Sequence, residues 1–192
     1  MATKTTGRVI LRGSERKPLA NSQAAGAIDP TEVAHITVRV RPANPVAELS
    51  KTVDKLYAQP MGKRTYLTRE ELAARHGARR EDLDAIEHFA HRHNLTVTHR
   101  SAAERSLVLS GKLGEILNAF PADLQMYQHS TGTYRGRSGG ISIPKQFRSI
   151  ITGVFGLDDR PRFRSSYRPS ADAASVAGPH LVPATVFAKR YN

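Results

Sequence analysis

Three patterns in this sequence predict an α+β fold in which helices cover one face of an antiparallel sheet. His35 to Arg41 alternates polar and apolar residues with a period of two and ends at Pro42. Arg80 to His93 sets Leu83, Ile86, Phe89 and Ala90 on one helical stripe. Two further strand-like runs, Leu95 to Arg100 and Glu104 to Ser110, follow that helix directly.

Taken in chain order, residues 1–33 mix Gly, Ser, Thr, Lys and Ala without sustained periodicity and are expected to form a flexible leader, because so little apolar surface cannot offset the entropy of ordering it. Order is expected to begin near Ala34, with Ile36, Val38 and Val40 on the core face of the first strand. Thr68-Arg69-Glu70-Glu71 is a capping box: the hydroxyl accepts from the third helical amide and Glu71 reaches back to the cap. It opens a short helix that Gly77 closes, and Asn94 stops the next helix. Lys112 to Phe120 is helical, with Leu113, Ile116, Leu117 and Phe120 at helix spacing. Asp123 to His129 reads as a strand, joined by turn residues 130–133 to Tyr134 to Arg137. Pro144 is expected to open a last helix through Ile150, stopped near Gly153 or Gly156. The order strand, helix, strand, strand, helix, strand, plus a hairpin and a terminal helix, points to a ferredoxin-like split βαβ sandwich with flexible tails at both ends. Beyond Asp159 the chain turns to Arg160, Pro161, Arg162, Arg164, Arg168 and Pro169 and then to Ala, Ser and Gly, the composition of a linker.

Composition removes several classes of function. No apolar run approaches membrane-spanning length, and Val9-Ile10-Leu11 is far too short for the apolar centre of a signal peptide. The absence of cysteine excludes disulfides, thiolate metal sites and cysteine nucleophiles. A net charge of +12 attracts polyanions or an acidic protein partner. Its basic residues are dispersed, with only short pairs such as Lys63-Arg64 and Arg79-Arg80, unlike the tract of a nucleic-acid arm. A basic ferredoxin-like nucleic-acid-binding domain is the alternative reading, since Tyr127 and Tyr134 beside Arg135 and Arg137 could stack on single-stranded bases. The same residue types serve a hairpin and a protein interface.

His88 and His91 share a helix face, but His93 points elsewhere and no neighbouring carboxylate completes a ligand set, so they read as a solvated helix end suited to the dipole. Gly132, Gly136, Gly139 and Gly140 lack the following Lys-Ser/Thr of a phosphate loop and read as hairpin glycines. Gly-x-Ser-x-Gly is absent.

Leu67-Thr68-Arg69-Glu70-Glu71-Leu72-Ala73-Ala74-Arg75-His76-Gly77, Ile86-Glu87-His88-Phe89-Ala90, Leu95-Thr96-Val97, Leu109-Ser110-Gly111, Asn118-Ala119-Phe120, Gly132-Thr133-Tyr134-Arg135, Ile143-Pro144 and Val154-Phe155-Gly156-Leu157-Asp158 stand in an order and spacing that resemble the pro-kumamolisin activation domain, the propeptide of sedolisin-family serine-carboxyl peptidases. The resemblance runs from about His35 to Arg162. Asn94 stands where that family commonly has Gly, and Pro121 where Gly is usual. Val182 to Asn192 looks like the start of the mature catalytic domain. The division it implies is a leader over 1–33, an activation domain over 34–160, a linker with processing sites over 161–182, and the beginning of a catalytic domain over 183–192.

The resemblance implies a module that binds its own catalytic domain in cis, assists its folding and inhibits it until acid triggers self-cleavage in the linker. It implies no nucleic-acid or membrane partner, and secretion within a precursor although no signal peptide is visible. It places calcium in the catalytic domain and no cofactor in this chain. The family's catalytic Glu and Asp lie four residues apart on a helix and its nucleophile lies in a Ser-Gly-Thr-Ser type motif; no Glu here is followed by Asp at the fourth position, and Ser138-Gly139-Gly140 lacks the continuation, so no catalytic residue is expected. Eight histidines change charge between neutral and mildly acidic pH and could contribute to release. With Ile36, Val38, Val40, Leu95, Val97, Leu107 and Leu109 turned to the core, Thr37, Arg39, Thr96, Thr98 and Val108 face outward as the expected docking sheet. Matching Arg162, Phe163 and Arg164 to the family's linker places the first cut between Arg162 and Phe163, with later trimming between Ser170 and Pro183.

Overall fold

The structure, a computed structural model, describes residues 7–130 and 132–160. The chain divides into units 1–160 and 161–192, and the architecture below is that of the first. The linker over 161–182, its cleavage residues Arg162, Phe163 and Arg164, and residues 183–192 lie outside the described residues.

In chain order the elements are β1 (Arg8–Ile10), β2 (Gln23–Gly26), β3 (Val33–Val40), α1 (Val46–Tyr57), α2 (Arg69–His76), α3 (Arg80–Arg92), β4 (Thr96–Ser101), β5 (Ser106–Lys112), α4 (Leu113–Ala119), β6 (Asp123–His129), β7 (Gly132–Ser138), β8 (Ser142–Pro144) and β9 (Ile151–Phe155), with 3-10 turns at Met61–Lys63 and Lys145–Phe147. The main sheet runs β4-β5-β3-β9, and every neighbouring pair in it is antiparallel. β5 therefore lies between β3 and β4, which run in the same direction, and the α+β fold is a split βαβ sandwich.

Its core follows from the sequence periods. Ile36, Val38, Val40, Leu107 and Leu109 are fully buried on one sheet face, and α3 sets Leu83, Ile86, Phe89 and Ala90 against them. α4 adds Leu113, Ile116 and Ala119. Phe89 meets the rings of Phe120 and Phe147 edge-on at centroid distances of 5.5 and 5.2 Å. Each buried Leu, Ile or Phe contributes about 1.5–3 kcal/mol, so a one-residue slip of β3, which would turn Thr37 and Arg39 inward, is strongly disfavoured. The capping box at α2 is formed: Glu71 N–H donates to Thr68 Oγ1 at 3.1 Å and Thr68 N–H to Glu71 Oε2 at 2.9 Å. Asn94 takes the left-handed conformation, with φ 57°, that its place after α3 requires.

Three expectations are corrected. The segment after Pro144 does not continue as a helix to Ile150: Lys145–Phe147 makes a single 3-10 turn, and Ile151–Phe155 is the strand β9. Without it one edge of β3 would leave its backbone groups unpaired, and pairing there outweighs the local helical spacing. The fourth strand of the main sheet is accordingly β9, and Asp123–His129 instead pairs with β7 and β2 in a separate three-stranded sheet. Nor does order begin only at Ala34. β1 pairs with β8, β2 pairs with β6, Leu11 is buried and Ser14 Oγ accepts from Ile141 N–H at 2.8 Å. These strands draw their order from backbone pairing with later elements, which needs no apolar run of their own.

Candidate docking face and chain exit

The side of the main sheet opposite α3 and α4 is built by the residues that alternate with the core. Thr37 stands between Val108 on β5 and Phe155 on β9, and Arg39 between Ser106 and Gly153. Thr37 and Val108 are half-buried, whereas Arg39, Thr96 and Thr98 are exposed. The structure thus brings the five outward residues named from the sequence onto one sheet. A bulge in β4 lets Thr98 and His99 together oppose Val108, and Thr98 Oγ1 donates to the Val108 carbonyl at 3.3 Å. Past the bulge the alternation reverses, so Arg100 joins the helix side and pairs with Asp84 at 2.6 Å and with Glu87. His99 stands on the outer side instead, its Nε2 3.1 Å from Glu104 Oε2.

Phe155 is the outward residue that sequence reasoning missed. It is 47% exposed, and its ring lies across Gly153, where an added Cβ would come within 2.5 Å of Cε2. A second register shift, at Arg39–Val40 against Gly153–Ile151, hides it from a period-two search. The available signal was the pair of apolar residues Val154-Phe155, one for each face, ahead of Gly156.

The described chain leaves the domain at a second, more polar feature. β7 is the edge of its sheet, and its spare N–H groups are taken by carboxylates from the exit segment: Arg135 N–H donates to Asp159 Oδ1 at 2.6 Å and Arg137 N–H to Asp158 Oδ2 at 3.3 Å. Asp159 N–H returns a bond to the Arg135 carbonyl at 3.1 Å. The buried Arg135 side chain donates to the Leu157 carbonyl at 3.0 Å and to Glu32 Oε1 at 2.5 Å. Arg160 donates from Nε to Asp158 Oδ1 at 2.7 Å, and its Nη1 reaches back to the Lys17 carbonyl at 2.8 Å. Its guanidinium lies over the Tyr134 ring, 5.7 Å from the centroid. The Tyr134 hydroxyl in turn accepts from Leu19 N–H at 2.9 Å and donates to Ser22 Oγ at 3.1 Å.

Burial works against the charge on Asp158, but the hydrogen bonds from the Arg160 side chain and backbone outweigh it and hold this carboxyl below its ordinary pKa. Arg137 is pushed down first by burial and then by the nearby charge of Arg16. His93 is likewise lowered, by burial first and then by Arg8 and Arg92; its ring packs on Phe89 with centroids 4.6 Å apart. His91 lies 3.8 Å from Glu87. Among the described residues no group of three or more His, Asp or Glu is placed to hold a metal ion.

Comparison with known proteins places this architecture. Residues 20–160 match the family described as pro-kumamolisin, activation domain. The chain is 32% identical over 161 residues to kumamolisin of Bacillus sp. strain MN-32, covering 84% of this chain and 29% of that protein. It is 24% identical over 165 residues to tripeptidyl-peptidase sed5 of Aspergillus fumigatus, covering 78% of this chain and 28% of that protein. It therefore spans less than a third of the length of these curated relatives. A family match across the whole sandwich and its exit segment shows that this chain belongs to the pro-kumamolisin activation domain family.

Proposed function

We propose that this chain is the activation propeptide of an acid-acting serine-carboxyl endopeptidase, that it binds the catalytic domain of the same precursor, assists its folding and keeps it inactive, and that self-cleavage in the linker removes it. The observation that carries this reading is the match to an activation domain over residues 20–160. The chain acts as inhibitor and not as catalyst, and any calcium belongs to the catalytic domain. The docking face is the outer side of the main sheet, with Thr37, Arg39, Thr96, Thr98 and Val108 in contact. An exposed sheet face with an aromatic residue and a cation on it is supported as an interface by what protein surfaces bury against partners. The net charge of +12 suits a partner rich in carboxylates.

The linker offers its proline-flanked stretch to the catalytic cleft, and the first cut falls between Arg162 and Phe163. N-terminal sequencing of the products of the acidified precursor tests this, with a catalytically dead precursor beside it. A first product beginning at Phe163 from the active precursor alone is expected. Equal cleavage in the dead precursor contradicts self-processing.

A further inference from the structure

The polar cluster around Asp158 is more elaborate than a strand edge needs. A strand edge can be capped by water, yet here three consecutive residues supply two carboxylates to the backbone of β7 and a guanidinium that lies over a ring and reaches a carbonyl far away in sequence. Arg160 and Asp158 side chains are each only 10% exposed. Tyr134 links the two halves of the cluster, since it carries Arg160 on its ring and holds Leu19 and Ser22 by its hydroxyl. Gly136 keeps room for this, because a Cβ there would fall 2.6 Å from Tyr127 and 2.7 Å from Tyr134, whose rings are stacked at 5.5 Å.

We propose that Asp158, Asp159 and Arg160 form an exit anchor that pins the chain to the β6–β7 hairpin and the leader, and so sets which bond of the following linker is presented for the first cut. This rests on the propeptide reading above. Its logic is geometric. Cleavage a few residues beyond a fixed point selects one bond, whereas the same segment hung from a frayed end presents several, and misplacement by about an ångström costs rate by up to roughly a hundredfold. The three residues are positioning residues and touch no reacting atom.

The anchor is also built to outlast acid. The charged and titratable groups of the cluster are Asp158, Asp159 and Arg160 on the exit segment, Arg135 and Arg137 with Tyr134 on β7, Tyr127 on β6, Glu15 and Arg16 on the leader beside Arg137, and Glu32, which pairs with Arg135. The lowered pKa of Asp158 means that its bonds persist above about pH 4, the ordinary range of an aspartate, and are lost only as pH falls further, through its folded value. The exit therefore stays pinned in mildly acidic solution.

The test compares the full precursor with its Arg160→Ala, Arg160→Lys and Asp158→Asn variants after acidification at about pH 5, reading first products by intact mass and N-terminal sequencing. Arg160→Ala is expected to reduce the share of the principal first product about tenfold and to raise cuts at neighbouring bonds. Arg160→Lys restores part of that share, because an ammonium still reaches Asp158 but loses the fork and the ring contact. Asp158→Asn is isosteric and removes the charge that pairs with Arg160, and a circular-dichroism melt shows whether each variant is folded. If Asp158→Asn fails to fold, Arg160→Ala, whose side chain belongs to no sheet, decides alone. Folded variants that give the wild-type product in the wild-type proportion overturn the anchor alone. A wild-type precursor that never cleaves itself overturns the propeptide reading and the anchor's purpose with it.

Discussion

Arg41, one residue beyond the end of β3, donates from Nε at 2.8 Å and from Nη2 at 3.1 Å to the two carboxylate oxygens of Asp82 in the first turn of α3. The pair fixes where the helix sits along the sheet, and Asp82 also suits the helix N-terminus. With the Asp82 side chain only 7% exposed, its removal leaves a guanidinium with a desolvated partner site. Asp82→Ala is expected to cost about 2 kcal/mol and to lower the Tm of a domain of this size by about 4–8 °C. A calorimetric scan checks it, and an unchanged Tm contradicts the role.

Gly156 carries the chain out of β9 with φ 97°, and an added Cβ would lie 2.5 Å from the His35 carbonyl oxygen. That carbonyl belongs to β3, an inner strand of the main sheet. Gly156→Ala is expected to destabilise by about 2 kcal/mol or more, from strain and clash together. Urea denaturation reads this as a lower midpoint at an unchanged slope.

The sequence makes β3 and α3 legible because their two faces differ: Ile36, Val38 and Val40 against Thr37 and Arg39, and Leu83, Ile86 and Phe89 against a charged side. The elements that escape it are those ordered by partners. β1 and β2 have no amphipathic pattern and exist through β8 and β6. β9 breaks its alternation at Thr152, so its apolar residues imitate the end of a helix. α1 did carry a signal, Val46, Leu49, Val53 and Leu56 at helical intervals, but none of its residues is buried. On the candidate site, the outward set on β3 follows from period two alone, whereas His99 and Phe155 depend on bulges that only pairing reveals.

Acid weakens the fold through His93. Its folded pKa is depressed, by burial first and then by Arg8 and Arg92, so above about 6.5, the ordinary histidine value, it is neutral in both states and costs nothing. As pH falls below that value the unfolded chain binds the proton more readily, and stability declines until the folded value is passed. His93→Gln is expected to flatten the stability profile across this window, measured as urea midpoints between about pH 7 and 5. An unaltered slope removes His93 from the acid response.

Arg39 separates folding from docking. It is exposed, and its neighbours across the sheet, Ser106 and Gly153, offer it no ion pair. Arg39→Glu is expected to leave Tm within about 1–2 °C of wild type while weakening inhibition of the catalytic domain about tenfold, the scale of one lost charge contact between partners. Loss of folding contradicts the assigned register, and an unchanged inhibition constant removes Arg39 from the interface.

Restraint of a peptidase by this domain is read by titrating the purified chain into the mature catalytic domain of the proposed precursor. At neutral pH peptidase activity should fall in proportion to added chain and vanish near equimolar amounts. Inhibition should then weaken as pH drops, because protonating partner carboxylates removes their attraction for this basic chain. Full peptidase activity at a molar excess of the folded chain would contradict the account.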